Sequence, residues 1–343
     1  MMTQLFQYGM SVLFVLFLGI FSLVFGDTLQ DIEKVEKQTL HNRRAIKSWH
    51  VRTYTNRILH EETGDVLDNE GSILPNGDIQ RRLYTDYYYD GQHTREDTFF
   101  EYGTPAQQGI DFFSWDDRYC YLYTTGLDDE KGKFAIQADT VKEALEKRGG
   151  IMPFLDIRIF GMFPTGLALR SFELTSRIGN PDRTNLEMTD DTIEGIACKK
   201  ISFLDHRQNS CVIWIATELG YNPIRFDSWN DEKGFRNTVN LKIEKHKESG
   251  IWFPVSSIGD ELYKGKPYSH TEDRVEIISF NKPFPIETFG LKEMNAPVGT
   301  RVYIVPPPNP ADNFFWDGEK IASEFGTVLE PLKPAISSRS NTL

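Results

Sequence analysis

From Trp49 onward, apolar and polar residues alternate with period two, and Gly, Asn and Asp interrupt the alternation at short intervals. Trp49, Val51 and Thr53 alternate with His50, Arg52 and Tyr54. Such a pattern restricts the chain to strands whose side chains project to opposite faces in turn. Short turns join neighbouring strands only in antiparallel order, so an antiparallel meander is expected. Arg81–Tyr89 runs into Asp90-Gly91, a hairpin signal, and returns as Thr94–Tyr102. Ile110–Trp115 and Arg118–Thr124 form a second pair around Asp116-Asp117. Further strands are predicted at Phe172–Ile178, Thr192–Leu204, Cys211–Thr217, Pro223–Trp229, Arg236–Lys247, Gly250–Tyr263 and His270–Phe280.

Two segments read as helices. Asp27–Ser48 has apolar residues at Leu29, Ile32 and Val35, acids in its first turns, and Arg43, Arg44 and Lys47 at its end, the order the helix dipole favours. Its later apolar spacing is weaker. Asp139–Arg148 is stopped by Gly149-Gly150. The run Met152–Leu169, broken by Pro153, Gly161 and Pro164, reads as an irregular buried crossing, and residues 61–80 as a surface loop.

Residues 1–26 contain no Asp, Glu, Lys or Arg, so the rest of the chain carries the whole net charge of −12. The apolar run Ser11–Gly26 is shorter than the ~20 residues of a membrane-spanning helix. It has the size of a signal-peptide core. The missing Lys and Arg before it leave an uncleaved anchor as the other reading. Export, to a periplasm or cell envelope, follows from either, and membrane contact is confined to this segment. One domain is expected over 27–305, since no low-complexity linker appears, followed by a Pro-rich, partly disordered tail over 306–343.

An acidic balance argues against a nucleic-acid partner. Three cysteines exclude a disulfide-dense scaffold. Cys198 and Cys211 flank a turn near Asp205–Ser210 whose centre is not midway between them. A bridge between them is one reading, and buried small apolar side chains are the other. No zinc spacing, nucleophile elbow, phosphate loop or calcium loop occurs, so no cofactor, metal or catalytic residue is expected. The Asp-Asp pairs at 116–117, 128–129 and 190–191 sit beside turn residues, where Asp bonds local backbone.

The positive signal is aromatic, at 13% of the chain. Val212, Trp214 and Ala216 share one face of their strand, and Ile213 and Ile215 the other, so both faces are expected to be covered. Trp252 alternates with Ile251 and Phe253. An apolar concave sheet either packs as core or lines a ligand cavity. On the cavity reading Trp214, Trp252 and Phe253 are the ligand-binding candidates.

The order of elements resembles the LolA/LolB-like superfamily of exported lipoprotein-sorting carriers. The resemblance rests on IEGIACKKISF at 193–203, CVIWIATELGYNPIRFDSW at 211–229 and SGIWFPVSSI at 249–258. Within these, Gly195 and Cys198, Pro223 and Arg225, and Gly250, Trp252 and Pro254 match the family's recurrent strand signatures. FGLKEMNAPVGTRVYIV at 289–305 resembles the closing segment of large exported LolA-like proteins of planctomycete-type bacteria. The resemblance implies an α+β fold whose large antiparallel sheet curves into an unclosed β-barrel. The N-terminal helix and one or two further helices would cover its concave face. It also implies a non-enzymatic binding protein holding a lipid, an acyl chain or another apolar ligand. The alternative it allows is an envelope sensor that uses the same sheet to bind a protein partner. The chain is far longer than a typical carrier of this kind, and the matching motifs are structural.

Overall fold

The computed structural model describes residues 30–60, 72–101, 109–115, 120–125, 134–138, 157–160, 184–205, 208–294, 296–305, 313–323 and 328–329. The leader, the helix expected at Asp139–Arg148 and the strand expected at Phe172–Ile178 lie outside them, as does most of Met152–Leu169.

Among the described residues one α-helix, α1 (30–44), precedes eighteen strands. The first seven are β1 (Trp49–Leu59), β2 (Ser72–Ile73), β3 (Ile79–Tyr89), β4 (Thr94–Glu101), β5 (Gly109–Trp115), β6 (Cys120–Thr125) and β7 (Phe134–Ala138). The next seven are β8 (Thr184–Ile193), β9 (Ile196–Leu204), β10 (Ser210–Ala216), β11 (Asn222–Asn230), β12 (Phe235–Lys245), β13 (Trp252–Tyr263) and β14 (Lys266–Phe280). The last four are β15 (Arg301–Val305), β16 (Phe314–Trp316), β17 (Ile321–Ser323) and β18 (Val328–Leu329). The class is α+β, with a large, mainly antiparallel sheet that is not closed into a barrel. Contacts group the chain into two compact units, each built from two separate lengths: residues 1–45 with 158–269, and residues 46–157 with 270–343.

In the first unit β8 to β13 form an uninterrupted antiparallel meander. The sequence pattern predicts one strand here, Thr192–Leu204. The structure divides it at Glu194-Gly195, both left-handed with φ of 50° and 84°. Two positive φ values in a two-residue turn match the twist of a hairpin. Only the Gly announces itself in sequence, because the Glu ordinarily avoids that conformation. Ile32 and Val35 of α1 lie on Ile201, Phe203, Cys211, Ile213, Ile215 and Phe226. This layer is core, with Ile201 and Ile215 fully buried. The helical stripe continues through Thr39 and Arg43, both buried. These two polar residues take the inward positions, which is why the apolar period fades after Val35. Thr39 Oγ1 donates to Val35 O and to Tyr221 O, at 3.1 and 2.8 Å.

In the second unit β1 pairs β3, and β3 to β7 follow one another antiparallel. At the β3–β4 turn Asp90 Oδ1 accepts from the N–H groups of Gln92 and His93, as the Asp-Gly signal predicts. β7 and β15 pair in parallel, a departure from the expected meander. They are far apart in sequence, so no hairpin constrains their direction. β16 and β17 fall within the stretch expected to be a tail. They close a hairpin in which Asp317 accepts from the N–H groups of Glu319 and Lys320. Phe314, Trp316 and Ile321 from these strands are buried with Tyr121, Ala135, Ala296 and Val302.

Candidate functional site

In the first unit β10 sets Trp214 between two cations. Its cross-strand partners are Lys200 on β9 and Arg225 on β11. The Lys200 ammonium lies 5.7 Å and the Arg225 guanidinium 5.3 Å from the indole centroid. Both are within cation–π range. The indole N–H donates to Asp191 Oδ2 at 2.9 Å. That bond and one from the Thr192 N–H hold the Asp191 carboxyl below the usual carboxylate range. Arg225 is held by two hydrogen bonds to Asp227, at 3.1 and 2.9 Å.

Trp252 repeats the arrangement with one cation. It opposes Lys245 on β12, whose ammonium lies 5.8 Å over the ring. Gly220 comes so close that a Cβ there would sit 2.8 Å from Trp252 Cδ1. Trp214 and Trp252 are both half-buried against one cluster of Cys198, Ala216, Ile224, Leu241 and Ile243. Phe253 is not part of it. Neighbouring residues of a strand project oppositely, and Phe253 is fully buried beneath the Arg43 guanidinium, 4.7 Å from it, with Phe160 stacked at 6.4 Å. Asn42 of α1 fastens this strand end, donating to Trp252 O at 2.9 Å. The structure therefore unites two of the three residues that sequence pattern singled out and places the third in the core.

A Cys198–Cys211 bridge does not fit this register. Cys198 opposes Ala216 and Cys211 opposes Phe203, five positions apart along β10. At ~3.4 Å per residue, that offset far exceeds the Cα separation a disulfide spans. Both are buried as thiols, Cys198 donating to Ile196 O at 3.3 Å and Cys211 to Asn209 O at 3.6 Å, and burial pushes the Cys198 thiol up.

The second unit holds a charge network that no sequence motif announces. Arg52, Asp86 and Asp97 lie in one cross-strand row, and His50, Tyr88 and Arg95 in the next. Arg52 Nε and Nη2 donate to the two oxygens of Asp86 at 2.8 and 2.7 Å. Arg95 is buried and donates to Asp97 at 2.6 to 2.9 Å. Its remaining N–H groups donate to Thr288 O and Glu293 O at 2.9 and 2.8 Å, tying two 3-10 turns to β4. Burial raises the Asp97 carboxyl to about 6. The Arg95 bonds oppose that rise and Asp86 adds to it. Burial also acts on Asp86, but hydrogen bonds from His50 and Arg52 outweigh it and keep that carboxyl low. Burial and the same two carboxylates push the Tyr88 phenol up to about 12.

Two solved structures share a likeness with this chain. One is a DUF1329 family protein from Desulfovibrio piger, at 9% identity and a TM-score of 0.42, covering 76% of this chain and 98% of that one. The other is a putative outer membrane lipoprotein-sorting protein domain from Vibrio parahaemolyticus, at 11% identity and a TM-score of 0.43, covering 78% and 100%. No protein-family model and no curated protein matches the sequence. No residue role is taken from likeness at this level.

Among the described residues no group of three or more His, Cys, Asp or Glu side chains could hold a metal ion. The charge network was legible in one respect. Counting back from the strand ends Tyr89 and Thr94 that flank the turn places Asp86 opposite Asp97, and their burial had no signal in the sequence.

Proposed function

We propose that this is an exported, non-enzymatic binding protein that holds the apolar part of a lipid on the Trp214–Trp252 cluster. One observation carries this reading. Ile193, Ile196, Trp214, Leu219, Val239 and Trp252 lie partly buried around the buried residues of that cluster, so its apolar surface is shared with solvent. Apolar side chains half-exposed in a group, rather than singly, mark binding surfaces. The layer beneath α1 is filled by its own side chains, which directs the ligand to the second cluster. The sequence resemblance to lipoprotein-sorting carriers supports the same class of ligand. Covering apolar surface contributes ~25 cal/mol per Å², so an acyl chain needs few polar contacts.

The test is native mass spectrometry of the full chain purified from its own envelope fraction, with solvent extraction of what is bound. One lipid per protein is expected. A protein that carries none, and takes none up from added lipid, contradicts the reading.

A further inference from the structure

We infer that the ligand of this cluster is an anionic lipid, its head group held by Lys200, Arg225 and Lys245. The inference rests on the function proposed above and names the charge of the lipid. Three cations stand over the two indoles that edge the cluster. The chain as a whole carries −12, so cations gathered at an apolar surface run against its general balance. Carboxylates lie among them, Glu218 near enough to Cys198 to act on its thiol. Asp227 fixes Arg225, and Asp191 binds the Trp214 N–H and lies 4.0 Å from Lys200. Lys245 has no ion pair among the described residues and is exposed. Lys245 is therefore a cation at the edge of the apolar surface whose ammonium is open to a ligand's anion. Lys and Arg stems laid along an indole keep their charged ends in water. A ligand that covers the cluster with its chain brings its head group to those ends. An anion there gains charge-assisted hydrogen bonds, whereas a zwitterion brings a cation of its own among three others.

The experiment titrates the full-length protein with 1-oleoyl-lysophosphatidylglycerol, 1-oleoyl-lysophosphatidylcholine and glycerol phosphate, each below its aggregation concentration, and follows tryptophan emission. The anionic lysolipid is expected to bind at least tenfold more tightly than the zwitterionic one, with the preference shrinking at high salt. Glycerol phosphate is expected not to bind at the same concentrations. Lys245→Gln, at an exposed position, is expected to reduce the preference at least threefold while leaving lysophosphatidylcholine binding in place. Lys320→Gln in the second unit is expected to change neither. Equal affinity for the two lysolipids overturns the inference and leaves the proposed function standing. Binding of glycerol phosphate as tight as that of the lysolipid overturns it in favour of a small-anion site. Failure of both lysolipids to bind removes the proposed function as well.

Discussion

At the scale of single residues, Asp97 and Gly220 make the sharpest claims. The folded state holds a proton on Asp97 up to about 6, against an ordinary value of 3.8. The folded form therefore binds that proton more tightly, and this group's contribution to stability falls as pH rises from about 4 to about 6. The slope is at most about 1.4 kcal/mol per pH unit. Asp86 acts oppositely. Its lowered value gives stability that is present above 3.8 and lost as pH falls through the folded value. Urea unfolding of the protein and of Asp97→Asn between pH 4 and 7 separates the two. The variant is expected to lose the decline between 4 and 6, and a variant that keeps the whole of it would assign the decline to other groups. Gly220 has φ +69° and a close approach to Trp252. Gly220→Ala is expected to cost about 1–3 kcal/mol, read as a lower urea midpoint. An unchanged midpoint would mean that neither the left-handed backbone nor Trp252 resists the added methyl group.

At the scale of elements, α1 is attached to the sheet by few apolar side chains. Ile32→Ala is expected to destabilise by roughly 2–5 kcal/mol, whereas Glu33→Ala on its exposed side stays within about 0.5 kcal/mol. Equal effects in denaturant would contradict the helix–sheet contact. Most strands were legible because burial on one or both faces imposes period two, and because Asp and Gly mark the turns. The β8–β9 hairpin was not, since half of its turn is carried by Glu194 in a conformation that propensity disfavours. The site was legible in part. Trp214 and Trp252 stand out as aromatics inside strands. The cations above them meet those rings only through cross-strand register, which depends on the length of each turn and on the irregularity between Trp214 and Ile215. From sequence, Arg43 is expected to serve as a favourable charge at a helix end. It is instead buried against Phe253, because its position on the helix points inward.

At the scale of the whole molecule, each compact unit depends on lengths of chain far apart in sequence. Phe314, Trp316 and Ile321 supply three of the seven buried residues in one cluster of the second unit. A chain ending before Asn313 is expected to lose more than the usual margin of about 5–15 kcal/mol allows that unit. Limited proteolysis should then cut within 46–157 first. A truncated chain as resistant as the full one would show that β16 and β17 are dispensable. The central claim is that the cluster edged by Trp214 and Trp252 is a binding surface rather than sealed core. The most direct measurement is the affinity of Trp214→Glu for 1-oleoyl-lysophosphatidylglycerol, taken by calorimetry on protein whose thermal unfolding is recorded alongside. The account predicts at least a tenfold loss of affinity with cooperative unfolding retained. Unchanged affinity, or a variant that no longer folds, would contradict it.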